Sequence, residues 1–201
     1  MSVSALEPVA ALAGILVSRA AGKDAVTLAE ILASLVMVSA RRGQEARLDA
    51  TLQALLGLGL PAMGRATGTS ECAALSIAPG TALVQGSLQK LASLRPGIQR
   101  DVAAVVDQSG GLAVMRLGGP KSPSVLTKGC RLDLHPSAFA PGHCARTLIA
   151  QTTAILHQID AIPTYDIIVP RTLARSFAEF LLRAAQAGGV EMSVSLKPEE
   201  S

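Results

Sequence analysis

The chain has 201 residues, of which 49% are apolar, 16% charged and 2% aromatic, and a formal net charge of +3. So much apolar surface excludes a disordered chain, and three cysteines exclude a disulfide-stapled scaffold. One Tyr, three Phe and no Trp give no stacking platform for single-stranded nucleic acid, and 18 basic against 15 acidic residues are too evenly spread for a nucleic-acid stripe. The charged share falls well below the roughly 25% of an average soluble domain, and mean hydropathy is +0.41. Such an aliphatic excess points to permanent partners.

Residues 1–25 read as an N-terminal arm without sustained periodicity. The apolar stretch 9–17 is too short for a membrane span, which needs roughly 20 residues. Glu7-Pro8 does not suit a signal peptide. The expected compartment is the cytoplasm, with no membrane contact and with Cys72, Cys130 and Cys144 as reduced thiols.

Residues 26–40 suggest a short helix running into a buried strand. Leu48, Leu52, Leu55 and Leu56 predict a helix over 44–58, stopped by Gly57 to Pro61. Residues 72–77 and 82–85 flank Pro79-Gly80 as a hairpin, and 88–94 form a short helix stopped by Pro96-Gly97. A second series begins with a strand at 101–107, a turn at 108–111 leading into a hairpin, and a strand at 112–117. One or two helical turns follow at 122–128, then a loop at 131–142. Strands are expected at 144–150, 153–158 and 165–169. The clearest helix spans 172–187, with Thr172 a possible N-cap and Gly188-Gly189 its stop.

This order predicts an α+β fold of two linked split-βαβ halves, about 26–97 and 98–190, followed by a C-terminal tail at 191–201.

Residues 128–147 hold the densest run of reactive side chains: Cys130, Asp133, His135, His143 and Cys144. As zinc ligands, Cys130, His135, His143 and Cys144 have unusual separations, and adjacent His143 and Cys144 would face opposite ways on a strand. As nucleophiles, Cys130 or Cys144 would need a histidine base and an orienting group that the sequence does not place. The plainer reading is a loop fixed by Pro136 and Pro141 over small buried thiols. Gly118-Gly119-Pro120-Lys121-Ser122 lacks P-loop spacing, and no GxGxxG is present. Asp107-Gln108-Ser109 reads as an Asx-type turn.

Several of these segments together resemble a known family. They are Val105-Val106-Asp107-Gln108-Ser109, Leu117-Gly118-Gly119-Pro120, Val125-Leu126-Thr127-Lys128-Gly129-Cys130, Leu132-Asp133-Leu134-His135-Pro136, Phe139-Ala140-Pro141-Gly142, Cys144-Ala145-Arg146-Thr147 and Asp166-Ile167-Ile168-Val169-Pro170-Arg171. The pattern resembles the gamma subunit of heterotetrameric sarcosine oxidase, strongly over about 100–185 and in outline over 7–95. The chain departs from it at Ala78-Pro79-Gly80-Thr81-Ala82, where relatives often carry an acidic turn with a Trp.

The resemblance implies the fold of the folate-binding domain of glycine-cleavage aminomethyltransferase. It implies a non-catalytic subunit of an oxidoreductase that demethylates sarcosine to glycine and passes the methyl carbon to tetrahydrofolate. It implies alpha, beta and delta partner chains that carry FAD, FMN, NAD, tetrahydrofolate and zinc, with no cofactor, metal or catalytic residue in this chain. A gamma-type subunit of N-methylglutamate dehydrogenase and a stand-alone folate-binding protein are the alternatives. On this reading Lys128, Gly129, Cys130, Asp133, His135, Pro136, Phe139, Pro141 and Cys144 are architectural or interface residues. The arm 5–17 and the loop 131–143 are the expected contacts with the alpha chain.

Overall fold

The structure, a computed structural model, describes residues 25–195. The expected arm, except for Ala25, and residues 196–201 of the expected tail lie outside them. Eleven strands and five α-helices are described, in the order β1 (Val26–Ile31), β2 (Ser34–Ala40), α1 (Glu45–Leu56), β3 (Ala66–Gly68), β4 (Ala73–Ala78), β5 (Thr81–Gly86), α2 (Leu88–Leu91), α3 (Leu94–Gly97), β6 (Ala103–Asp107), β7 (Leu112–Gly118), α4 (Ser122–Leu126), β8 (Cys144–Ile149), β9 (Thr152–Asp160), β10 (Thr164–Pro170), α5 (Ala174–Ala187) and β11 (Met192–Ser195). One sheet has the order β11-β1-β7-β10-β9-β8 and the other β3-β4-β5-β2-β6.

The α+β expectation holds, and the two halves prove to be interlocked. β1 belongs to the first half but pairs antiparallel with β7 of the second, with Leu28 opposite Leu117. β6 belongs to the second half but pairs antiparallel with β2 of the first, with Val38 opposite Val105. Each half therefore gives its first strand to the other half's sheet.

The two crossings hold each other. The Gln108 N–H donates to the Leu35 carbonyl at 2.8 Å, and the Leu35 N–H donates to Ser109 Oγ at 2.9 Å. The Ser109 N–H donates to the Asp107 carboxylate at 2.9 Å, which is the expected Asx turn.

Side chains alternate across both sheets and build three apolar layers. Leu35, Leu75, Leu83, Val114, Ile155 and Ile168 meet between the sheets. Val36, Val38 and Val84 face α1, α2 and α3 through Leu48, Leu52, Leu91 and Leu94. Met115, Leu117, Leu156 and Ile167 face α4 and α5 through Val125, Leu126, Phe177 and Leu181. The result is helices, sheet, sheet, helices.

Five local expectations change. Residues 26–40 are two strands in different sheets rather than a helix and a strand; Val26, Leu28 and Glu30 alternate inward in a period-2 pattern. The 108–111 turn carries the chain from one sheet to the other and closes no hairpin. The helix expected at 88–94 is two short helices, with Pro96 in the first turn of the second, where its missing N–H costs no bond. Thr172 is no N-cap, because a 3-10 turn at Arg171–Leu173 leads into α5. Residues 192–195 of the expected tail form β11, parallel to β1, because Met192 and Val194 alternate inward between serines.

Candidate functional site

The run 128–147 forms the strap that closes one end of the second half. Lys128 is exposed at the end of α4. Gly129 follows where the chain passes beneath α5. A Cβ there would lie 2.5 Å from Phe180 Cζ and 3.0 Å from the Ala150 nitrogen, so the position demands glycine. Cys130 pairs with Ile149 in an isolated bridge and is buried, and burial pushes its thiol pKa up.

The next residues make a tight turn of their own. The Asp133 carboxylate accepts the His135 N–H at 2.9 Å. His135 Nδ1 meets Ser137 Oγ at 2.7 Å, and the His135 carbonyl accepts from Ala138 and Phe139 at 2.8 and 2.9 Å. This turn sends Leu134 and Phe139 into the core and leaves Asp133, His135, Pro136 and Pro141 exposed. Phe139 stands edge-on to His143, with ring centroids 5.5 Å apart.

The end of the strap ties the sheets together. The Gly142 N–H donates to the Gln158 carbonyl at 2.8 Å, and the Gly142 carbonyl accepts from Ala66 at 2.8 Å. The Cys144 N–H donates to the Gly64 carbonyl at 3.0 Å, and its thiol donates to the Ser76 carbonyl at 3.1 Å.

The structure therefore separates the zinc candidates. Cys130 sits in the helix-side core and Cys144 between the sheets. His135 bonds its own turn and His143 packs on Phe139. Among the described residues, no three His, Cys, Asp or Glu gather as a metal cluster.

A second constellation escaped the sequence reading. Cys144, His157, Asp166 and Arg116 are successive partners across β8, β9, β10 and β7. Cys144 and Asp166 both reach sheet-to-sheet partners, so the row faces the other sheet. Arg116 Nε and Nη2 donate to the Asp166 carboxylate at 2.8 and 2.9 Å, a bidentate fork. Gln85 Nε2, from β5 of the other sheet, donates to the same carboxylate at 3.0 Å. Asp166 is 2% exposed.

Its Cys-His-Asp order suggests a thiol nucleophile, and its electrostatics refuse one. Burial pushes the Cys144 thiol up to about 12, and the thiol donates to a carbonyl rather than to a base. Burial also lowers the His157 pKa, against an opposing pull from Asp166. A nucleophile needs a thiolate, and this site keeps the proton. The row can pin two sheets together, because a buried carboxylate holds donors from both. A usable signal stood in the sequence: Arg116 and Asp166 are opposite charges embedded in apolar strands.

The model of the sarcosine oxidase, gamma subunit family matches residues 42–188. The chain belongs to this family. The match begins earlier than the segments that carried the resemblance strongly, so most of the first half belongs to it too. The sarcosine oxidase subunit gamma of Arthrobacter sp is 36% identical over 142 residues, which are 66% of this chain and 66% of that protein. That of Corynebacterium sp. (strain U-96) is 32% identical over 140 residues, 68% of each. The chain thus spans about two thirds of the length of the curated relatives it matches.

Among solved structures, it is similar to a chain of the heterotetrameric sarcosine oxidase from Corynebacterium sp. U-96 in complex with pyrrole 2-carboxylate. The TM-score is 0.74 at 28% identity, covering 83% of this chain and 87% of that one. It shares its fold with the glycine cleavage system aminomethyltransferase T from Bartonella henselae. There the TM-score is 0.62 at 16% identity, covering 85% of this chain and 48% of that one. Both the expected family and the expected fold are therefore borne out.

Proposed function

We propose that this chain is the non-catalytic gamma subunit of a heterotetrameric flavoenzyme. The complex oxidatively demethylates sarcosine to glycine and hands the methyl carbon to tetrahydrofolate. The observation that carries the reading is the joint match, in sequence and in fold, to subunits of sarcosine oxidase. The chain's own chemistry supports a scaffold role: burial holds all three thiols protonated, and thiolates are what metal binding or nucleophilic attack would require.

On this reading FAD, FMN, NAD, tetrahydrofolate and zinc belong to the alpha, beta and delta chains. This chain works in the cytoplasm, without membrane or nucleic acid; among the described residues, no helix is long and apolar enough to cross a membrane. The exposed edge of the strap, Asp133, His135, Pro136 and Pro141, lies along a groove of about 510 Å³ and is its docking surface for a larger subunit. Gly129, Cys130, Phe139 and Cys144 hold that edge in place from beneath, and Lys128 flanks it.

The test is co-expression of the tagged chain with its neighbouring genes. The expected product is a yellow complex that turns over sarcosine, while the chain alone is colourless and inactive. A chain that brings down no flavoprotein, or a complex that turns over N-methylglutamate and not sarcosine, overturns the reading. Replacing His135 with Ala is expected to weaken assembly and leave the melting temperature in place. The reverse result makes the histidine structural.

A further inference from the structure

Strand β6 ends one sheet. It pairs with β2 on one side, and among the described residues no strand covers the other. Hydrogen-bonded positions alternate in an antiparallel pair. The Arg41 N–H bonds the Val102 carbonyl and the Gln108 N–H bonds the Leu35 carbonyl. That phase turns Ala104 and Val106 toward β2 and leaves the Val105 amide and carbonyl pointing outward.

A groove of about 600 Å³ runs along this edge, lined by Ala103, Ala104 and Val105 and by the arginines Arg41, Arg95 and Arg100. All three arginines are exposed. Their lining contains no carboxylate. The nearest acids are engaged: Asp101 pairs with Arg47 at 3.2 Å, and Asp107 caps its own turn. Arg95 also lies near enough to Asp107 to help hold that carboxyl low.

An uncovered edge is a hazard that proteins blunt or use. Among the described residues, it offers a main-chain donor and acceptor that no strand covers, beside three cations, which is the arrangement that adds an extended anionic strand. We infer that the open edge of β6, with Arg41, Arg95 and Arg100, accepts an extended acidic segment of a partner subunit as an added strand. The inference rests on the subunit reading above. The main chain supplies affinity, and the arginines supply the sign of the partner's charge and a salt-sensitive rate of encounter. A nucleic acid would satisfy the arginines and would leave the strand edge unused, so the edge favours a polypeptide.

The experiment uses the co-expressed complex. Two variants are made, Arg95→Glu with Arg100→Glu, and Val105→Pro, which removes the outward N–H at an edge position where proline is tolerated. Both are expected to fold, as melting curves will report, and to lower recovery of the partner chains by about tenfold or more. In the wild-type complex the Val105 amide is expected to exchange at least about tenfold more slowly than in the free chain. Retained assembly of the charge-reversed chain, or an unprotected Val105 amide, overturns the inference and leaves the subunit reading standing. If the wild-type chain recovers no partner at all, both fall. If it retains nucleic acid that the charge-reversed variant loses, the polypeptide assignment is wrong.

Discussion

Replacing Asp166 with Ala removes the acceptor that two sheets share. Arg116 loses both bonds of its fork, and its side chain is 28% exposed, so water solvates it in part. Gln85 loses the acceptor of its Nε2, and its Oε1 already has no partner, which leaves the whole buried amide unsatisfied. Breaking a buried pair from one side costs about 3–5 kcal/mol, and an orphaned neutral donor about 1–3. The exposure of Arg116 takes the pair term below its usual range and brings the sum to about 3–4 kcal/mol. For a chain of this size that corresponds to a fall of roughly 6–16 °C in melting temperature.

Urea unfolding measures it, as a lower midpoint at unchanged slope. The companion variant replaces both charges, Asp166→Leu with Arg116→Met, and is expected to recover most of the loss, because no charge is then stranded. An Asp166→Ala loss below about 1 kcal/mol would refute the claim that this carboxylate joins the sheets. So would a companion variant less stable than Asp166→Ala itself.

Three more outcomes follow from the same geometry. His157 is buried and its pKa lies below the ordinary 6.5, so the unfolded chain binds its proton first as pH falls. Its contribution is present above pH 6.5 and is lost as pH drops toward the depressed value; His157→Gln should flatten that acid limb of stability, and an unchanged limb would show that other groups set it. Gly129→Ala should cost about 1–3 kcal/mol by pressing Phe180 aside, with partial recovery on adding Phe180→Leu; a neutral Gly129→Ala would mean the ring moves freely. With Cys144 near 12, about one molecule in 10⁴ holds its thiolate at pH 8, so a disulfide exchange reagent should label the native chain slowly and the urea-unfolded chain at once. Fast native labelling at Cys144 would refute its burial.

Two strands of the second half were legible as apolar runs beside Gly or Pro signals: β7 ends near Gly118-Gly119, and β10 follows Pro163 and ends at Pro170. The strap was legible for the same reason. β1 was missed because its six residues lie close to β2 and together they read as one long apolar segment. The partners that decide the matter, β7 and β11, lie roughly 90 and 165 residues further on, beyond any local pattern. The Cys144-His157-Asp166-Arg116 row was only half legible: the two buried charges could be seen, but its members share a register and no spacing. The aliphatic excess also changes meaning. By composition alone it points to surface awaiting partners, yet two sheets stacked face to face and covered by helices give three apolar layers to fill. Those layers absorb much of the low charge content. The large apolar side chains left exposed, such as Leu88 and Ile162, are scattered along the chain.

The strand exchange has a consequence for how the chain reaches this structure. Cutting near residue 97 leaves a first half whose β1 has lost both β7 and β11, and whose β2 has lost β6. The fragment 26–97 then keeps β2 to β5 with a new open edge at β2, and β1 has no sheet to join. Val26 and Leu28, both fully buried in the intact chain, would be exposed. Losing that burial costs about 1.5–3 kcal/mol per side chain, against a total stability of about 5–15 kcal/mol for an ordinary domain. Fragment 26–97 expressed alone should therefore show no cooperative thermal transition, and mixing it with 98–201 should restore one. A cooperative melt from 26–97 by itself would show that the halves are independent modules whose first strands add little. That result would also weaken the case for a rigid scaffold, because a subunit that only positions others depends on its two sheets moving as one.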